Sequence, residues 1–220
     1  MNLFLDLAHL LAGGMVVVSF LLLYQNRLSS LLDIYALHAL LLGLAVGWQA
    51  IVQQAPGLYV TAFLALVVKA GVIPMALKQI VRKLNIHREI EQVVGVGMTM
   101  IAGTGLTALA VLVMLPVTTH ESSIAREDLM FALAIVLLGL LMMTSRRNAV
   151  SEIVGFMAME NGLVLAATGA KGMPLVVEIS VAFSILIAIF VIATFLFRIR
   201  ERFDTVDVQA LDRFRGDADD

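Results

Sequence analysis

The sequence predicts an all-α integral membrane protein with seven transmembrane helices. Hydrophobic residues make up 60% of the chain and charged residues only 15%, whereas roughly 25% of the residues in a typical soluble domain are charged. The mean hydropathy is +0.97. The apolar residues form runs of about 20, the length that a helix needs to cross the hydrocarbon core of a bilayer. Within this fold we predict two parallel three-helix repeats joined by a linking helix.

Seven apolar runs meet this length criterion. They lie at residues 3–24, 30–52, 57–79, 93–118, 127–144, 148–169 and 174–197. The first run contains Asp6 where a signal peptide has basic residues, and no small-residue cleavage site follows it, so we interpret it as a retained span. The charged connection at residues 78–92 is a candidate for a short interfacial helix.

The fourth run differs from the others because it contains no ionisable residue. It carries four glycines, and small residues allow helices to pack closely in lipid, so we predict a packing role. These glycines are Gly95, Gly97, Gly103 and Gly105. The polar, acidic tail after the last run has two open interpretations, a solvated end or a short helix that lies on a partner protein.

A weak internal repeat relates residues 1–80 to residues 123–200. Each block consists of a span, a basic turn, a second span, a near-neutral turn and a third span. Aligning the blocks with an offset of 122 residues places His38 on Glu160, and an offset that differs by one residue scores nearly as well. Parallel repeats of this kind occur in membrane transport folds. The predicted units are 1–80, a first three-helix unit; 81–126, the interfacial segment and linking helix; 127–198, a second three-helix unit; and 199–220, a cytoplasmic tail.

The distribution of Lys and Arg predicts the orientation of the chain. Most of these residues fall in the loops on one side, including Arg146 and Arg147, and cytoplasmic loops hold the excess of positive charge. The N-terminus is therefore expected outside and the C-terminus in the cytoplasm. The net charge of −2 gives no indication of nucleic-acid binding.

Ionisable residues inside the predicted spans are the candidate functional residues. An acidic or basic residue at a helix centre costs roughly 2.5–3.5 kcal/mol on insertion scales, and such residues are functional-site hypotheses by default. The candidates for proton translocation are Glu160, Lys69, His38, Glu178, Glu152 and Asp33. The first three fall near the bilayer midplane, Asp33 and Glu152 nearer the cytoplasm, and Glu178 towards the opposite face. Titratable groups at successive depths favour proton transfer; the alternative is that they only hold helices together.

Other features bear on the kind of chemistry. The chain has no cysteine, which excludes thiol catalysis and cysteine-ligated Fe–S clusters, and its four histidines show no metal-ligand spacing. No phosphate loop, dinucleotide fingerprint or catalytic triad is present, so an enzyme acting on a soluble substrate is not expected. Pro74, five residues after Lys69, frees the carbonyl of Ala70 and predicts a kink in the third span.

The second half of the chain resembles a known family of membrane subunits. The turn Ser-Arg-Arg-Asn at residues 145–148, the segment Ile-Val-Gly-Phe at 153–156 and the tail motif Arg-Phe-Arg-Gly at 213–216 resemble the three-span 4L subunit of complex I and the C component of multisubunit sodium/proton antiporters. Nearly the whole chain, with Met-Glu-Asn-Gly at 159–162 and Leu-Val-Val-Glu-Ile at 175–179, is similar to the hydrogenase-4 component E family.

This resemblance implies a non-catalytic membrane-arm subunit of a complex I-related group 4 nickel–iron hydrogenase of formate-hydrogenlyase type, in a bacterial or archaeal cytoplasmic membrane. Its implied partners are large antiporter-like subunits and other membrane-arm subunits. The nickel–iron centre and Fe–S clusters are expected in partner subunits and no cofactor in this chain. In the 4L pattern two central glutamates conduct protons; here Met157 and a position near Ile185 take their places, with Glu160 and Glu178 nearby. A purely structural assembly subunit and an antiporter subunit are the alternatives.

Overall fold

The computed structural model describes residues 3–83, 93–117 and 123–169, together with residue 186. The chain divides into two units, Met1–Ser184 and Ile185–Asp220, and all the helices described below belong to the first. The seventh predicted span, the tail, Glu178 and most of the predicted interfacial helix lie outside the described residues.

Every regular element in the described ranges is a helix, which confirms the all-α prediction for this part of the chain. In chain order they are α1 (Leu3–Tyr24), α2 (Leu28–Gln53), α3 (Pro56–Leu64), a π-helix (Ala65–Val72), α4 (Ile73–Lys83), α5 (Val96–Val117), α6 (Ser123–Ser145) and α7 (Ala149–Gly169). The third span is continuous through α3, the π-helix and α4. Within the described ranges, six helical segments are long and apolar enough to cross a membrane, and they correspond to the first six predicted spans. The seventh helix and the repeat remain predictions.

Polar groups at the helix ends define the short turns. The α2 helix ends where Gln54 takes a left-handed conformation, φ 51°, and its N–H donates to the carbonyl of Ala50. The side chain of Asn148 caps α7 by accepting a hydrogen bond from the N–H of Val150 at 2.9 Å. Arg146, in the turn before α7, donates to the carbonyl of Leu23 near the end of α1. Terminal N–H and C=O groups of a helix need such partners because they have none within the helix.

The core is formed by α1, α2, α6 and α7, with part of the third span. A cluster of buried apolar side chains joins them, and we call it the apolar layer. Its members are Ala12, Met15, Leu42, Ala45, Val46, Ala62, Ala65, Ala132, Ile135, Val164 and Leu165. These helices thus bury a shared interior rather than exposing all their faces to lipid.

The α6 and α7 helices approach each other through glycines. A Cβ atom added at Gly139 would lie 2.7 Å from the backbone nitrogen of Met159, and one at Gly162 would lie 2.9 Å from the carbonyl oxygen of Ala132. The packing role predicted for the fourth span holds at Gly103, whose added Cβ would contact Phe20 at 3.0 Å. The other three glycines of that span have no described neighbour within 4 Å at the Cβ position. They are Gly95, Gly97 and Gly105.

The glycine contact between α6 and α7 yields a prediction with an internal control. We expect Gly139→Ala to destabilise the subunit by about 1–3 kcal/mol, because the new methyl group overlaps backbone atoms that cannot rotate away. Gly105→Ala should leave stability unchanged or slightly raised, since the site is open and alanine favours helix. Thermal unfolding in detergent measures both variants. Equal stability of the two would show that α6 and α7 are not packed this closely.

Candidate functional site

Lys69 and Glu160 form an ion pair inside the helix bundle. The Nζ atom of Lys69 lies 3.0 Å from Oε1 of Glu160, and their side chains are only 7% and 5% exposed. Lys69 comes from the π-helix and Glu160 from α7. Two of the three residues predicted near the bilayer midplane are therefore in direct contact.

The ion pair continues into a line of hydrogen bonds. Lys69 Nζ donates to Asn161 Oδ1 at 2.9 Å, and Asn161 Nδ2 lies 3.0 Å from Nδ1 of His38. His38 Nε2 lies 3.0 Å from Ser19 Oγ, and Ser19 Oγ donates to the carbonyl of Met15 at 2.9 Å. We call this line the polar chain; its members are Glu160, Lys69, Asn161, His38 and Ser19. All five are buried, and they come from α1, α2, the π-helix and α7.

Donor and acceptor chemistry fixes the direction of the hydrogen bonds. A lysine ammonium can only donate, so Asn161 uses its oxygen towards Lys69 and its amide N–H towards His38. His38 Nδ1 must then accept, which places the ring proton of the neutral imidazole on Nε2, where it donates to Ser19. From Lys69 to Met15 every donor consequently points the same way. The hydrogen-bond geometry therefore corresponds to a neutral His38 that carries its ring proton on Nε2.

The π-helix places Lys69 in this position. Its eight residues, Ala65–Val72, precede Pro74, and the N–H of Ile73 donates five residues back to the carbonyl of Val68. The irregularity predicted from Pro74 therefore takes the form of a π-helix, an element often found at functional sites. Gly43 on α2 makes room for it, because an added Cβ there would lie 2.6 Å from the side chain of Leu66.

Two further buried residues, Tyr35 and Ser151, carry hydroxyl groups inside the bundle. Tyr35 lies one turn before His38 on α2, and Ser151 lies in the first turn of α7; both are 0% exposed. Ser151 Oγ makes no hydrogen bond to the residues that the structure describes, whereas Tyr35 Oη lies close to Asn161 and Glu160 of the polar chain. They are polar groups between the centre of the bundle and the end at which α2 and α7 begin.

The other sequence-predicted candidates are not part of the polar chain. Asp33 forms an ion pair with Lys78 of α4, and its side chain is 64% exposed. Glu152 is exposed in the first turn of α7. The placement of Glu178 is not described. Of the sequence-predicted candidates that the structure describes, three thus lie in the polar chain, Asp33 lies in a separate ion pair near one end, and Glu152 is exposed.

A second polar group lies at the opposite end of the bundle, and we call it the terminal cluster. Its members are His9, Gln49, Gln53, Glu127 and Asp128. Gln49 Nε2 donates to Asp128 Oδ2 at 3.0 Å, and Gln53 Nε2 donates to Gln49 Oε1 at 3.1 Å and to the carbonyl of Thr168 at 2.8 Å. His9 Nδ1 lies 3.1 Å from Glu127 Oε2. This cluster connects the beginnings of α1 and α6 with the ends of α2 and α7.

Sequence reasoning missed several members of these groups. Asn161 stands beside Glu160 in the Met-Glu-Asn-Gly motif, and its amide is the signal that indicates a bridging role. Asp128 is the second residue of a predicted span, at the membrane boundary, where a carboxylate is usually hydrated. Gln49 and Gln53 are uncharged, so the search for ionisable residues within spans does not select them. Ser19 carries no signal at all, since serine is common in membrane helices.

The described part of the chain is that of an α-helical multi-pass membrane protein with an ion pair and a hydrogen-bonded polar chain buried between its spans. It is distantly homologous to hydrogenase-4 component E of Escherichia coli K12, with 26% identity over 208 residues, 94% of this chain and 96% of that protein. The same values hold for hydrogenase-4 component E of Shigella flexneri. The uncharacterised protein Rv0085 of Mycobacterium tuberculosis is 29% identical over 208 residues, 93% of this chain and 94% of that protein. No family model and no solved structure matches the chain.

Proposed function

We propose that this protein is a non-catalytic membrane-arm subunit of a complex I-related group 4 nickel–iron hydrogenase, in which the polar chain takes part in proton translocation. The nearly full-length homology to hydrogenase-4 component E supports the kind of complex. On this proposal the partners are antiporter-like and other membrane-arm subunits, the nickel–iron centre and Fe–S clusters lie in other subunits, and the N-terminus faces away from the cytoplasm. In a variant of this proposal, the same complex translocates sodium ions in place of protons.

The Lys69–Glu160 ion pair is the observation that carries the translocation proposal. Removing two charges from water costs several kcal/mol per ion even after relaxation, and an apolar pair of similar size would hold the helices together without that cost. A proton can also pass between a buried acid and a buried base, which converts the charged pair into a neutral one. Such a pair can take up and release a proton when its surroundings change.

The rest of the polar chain extends the pair across the bundle. When Glu160 is protonated, Lys69 loses its counter-charge and its own proton becomes easier to release. The route from Lys69 to His38 passes Asn161, whose amide holds its N–H protons and does not relay them. Proton transfer along this line therefore needs Asn161 to turn aside or a water molecule to enter between Lys69 and His38.

A structural role is the second candidate function. One observation favours it: from Lys69 to the carbonyl of Met15, each donor has an acceptor at 2.9–3.0 Å. A fully satisfied network rigidifies a core and specifies one packing arrangement. On this alternative, the polar chain holds the helices in position for antiporter-like neighbours and conducts no protons.

Glu160→Gln separates these functions. The glutamine keeps an oxygen that accepts from Lys69 but cannot take up a proton, so we expect fewer assembled complexes and, in each assembled complex, ion pumping that falls by roughly 100-fold, the lower range for loss of a proton-transfer group. Pumping is measured in vesicles as acidification coupled to the redox reaction, and assembly by purification of the intact complex.

Glu152→Gln is the matched control, because it removes an exposed carboxylate from the first turn of the same helix, outside the polar chain, and should leave pumping unchanged. An assembled Glu160→Gln complex that pumps at the wild-type rate would leave only the structural role.

A further inference from the structure

Asp128 is a buried carboxyl that the polar chain does not use. It is 2% exposed, and its Oδ2 accepts a hydrogen bond from Gln49 Nε2 at 3.0 Å. Its Oδ1 atom is buried and makes no hydrogen bond to the residues that the structure describes. Gly169 makes room for it, since a Cβ added there would lie 3.1 Å from Cβ of Asp128.

The surroundings of Asp128 disfavour a negative charge. Within the described ranges no Lys or Arg forms a salt bridge with it. The titratable side chains that act on it electrostatically are His9 of α1 and Glu127 of its own helix, and these two are paired with each other at 3.1 Å. Among the described residues, α2 contributes the side-chain amide of Gln49 and α7 the backbone at Gly169. Both helices end beside Asp128, and helix C-terminal ends carry partial negative charge.

We propose that Asp128 is a proton-binding site, which holds a proton on Oδ1 while Oδ2 serves as the carbonyl oxygen that accepts from Gln49. A buried carboxylate with one neutral donor is poorly compensated, and protonation removes the charge without requiring another cation.

The orientation of Gln49 favours a proton over a bound metal cation such as sodium. Gln49 directs its N–H donors at the carboxyl, while its oxygen accepts from Gln53. A sodium ion is held by several oxygen atoms, and donor groups facing the site would repel it. The described cluster therefore has the hydrogen-bond pattern of a carboxylic acid.

The apolar layer separates this site from the polar chain. Along α2, His38 and Gln49 are eleven residues apart, roughly 16 Å at the helical rise, and Leu42, Ala45 and Val46 of the apolar layer lie between them. If the protein translocates protons as proposed above, Asp128 is the station on the far side of this layer. That assignment rests on the proposed function, whereas the presence of a proton on Asp128 does not.

Infrared difference spectroscopy of the intact complex tests the site directly. A protonated carboxyl absorbs at a C=O frequency separate from that of a carboxylate. We expect Asp128→Asn to remove one carboxylic-acid band from the wild-type spectrum at neutral pH, and Glu127→Gln to retain that band. Gln49→Met should keep the band and shift it to higher wavenumber, because the carbonyl oxygen loses its hydrogen bond. This variant also serves as the test if Asp128→Asn fails to assemble.

Two results would overturn the proposal. The first is a spectrum in which Asp128→Asn removes only carboxylate absorption, or Gln49→Met leaves every acid band in place. The second is disappearance of the acid band when sodium chloride replaces potassium chloride at constant ionic strength, which would indicate a sodium site. None of these measurements requires pumping, so a failure here is distinct from a failure of Glu160→Gln to impair translocation.

Discussion

Replacing Lys69 by methionine is expected to lower the free energy of unfolding of this protein by about 3–5 kcal/mol, the cost typical of breaking a buried ion pair from one side. The Nζ atom of Lys69 lies 3.0 Å from Glu160 and 2.9 Å from Asn161. Methionine fills a similar volume but removes the cation, so a carboxylate that is 5% exposed on its side chain loses its counter-charge. The effect is measured as a lower unfolding temperature in detergent and a smaller fraction of assembled complex.

The double variant Lys69→Met/Glu160→Gln supplies the control for this effect. With both charges removed no buried ion remains at the pair, so most of the lost stability should return. The two changes should therefore be strongly non-additive, as expected for residues in direct contact. Additive losses would show that the two side chains do not interact in the folded protein.

The double variant also separates stability from function. A complex that assembles normally with the neutral pair, yet does not pump, would mean that the charges serve translocation and not packing. A complex that assembles and pumps at the wild-type rate would leave the pair without a role in translocation.

Much of the fold follows from composition because a bilayer allows few alternatives. Every backbone polar group in the hydrocarbon must be hydrogen-bonded, so long apolar runs become helices, and six of the predicted spans correspond to helices in the described residues. Depth is predictable as well, because residue number maps onto height along a helix. Lys69, Glu160 and His38 are expected at similar depth, and they lie in one hydrogen-bonded line.

Lateral neighbours are not predictable in the same way. The periodicity of an apolar helix shows little about which face meets which partner, so the sequence does not indicate that Asn161 bridges Lys69 and His38. The same holds for the contact of Asp128 with Gln49, 79 residues away along the chain. The π-helix around Lys69 is a third example, since Pro74 predicts an irregularity but not its form.

Asn161 is the residue on which this lateral arrangement depends, and Asn161→Leu should lower the free energy of unfolding by roughly 2–6 kcal/mol. The side chain is 0% exposed and joins Lys69 to His38, so leucine leaves a buried donor and a buried acceptor each short of a partner, at about 1–3 kcal/mol apiece. Asn148→Leu, in the turn that caps the same helix, is the matched control. It removes only the cap at Val150 and should cost about 1 kcal/mol.

The state of His38 distinguishes this specific effect from general damage to the fold. In the wild-type protein His38 Nδ1 accepts from Asn161 and Nε2 bears the proton, and ring nitrogen NMR shifts report both atoms. Asn161→Leu should shift the Nδ1 resonance because its donor is gone, while Asn148→Leu should leave both resonances in place. A wild-type spectrum with the proton on Nδ1 would contradict the direction of the polar chain, since Asn161 would then have to present its oxygen to His38 and its amide N–H to Lys69, which can only donate.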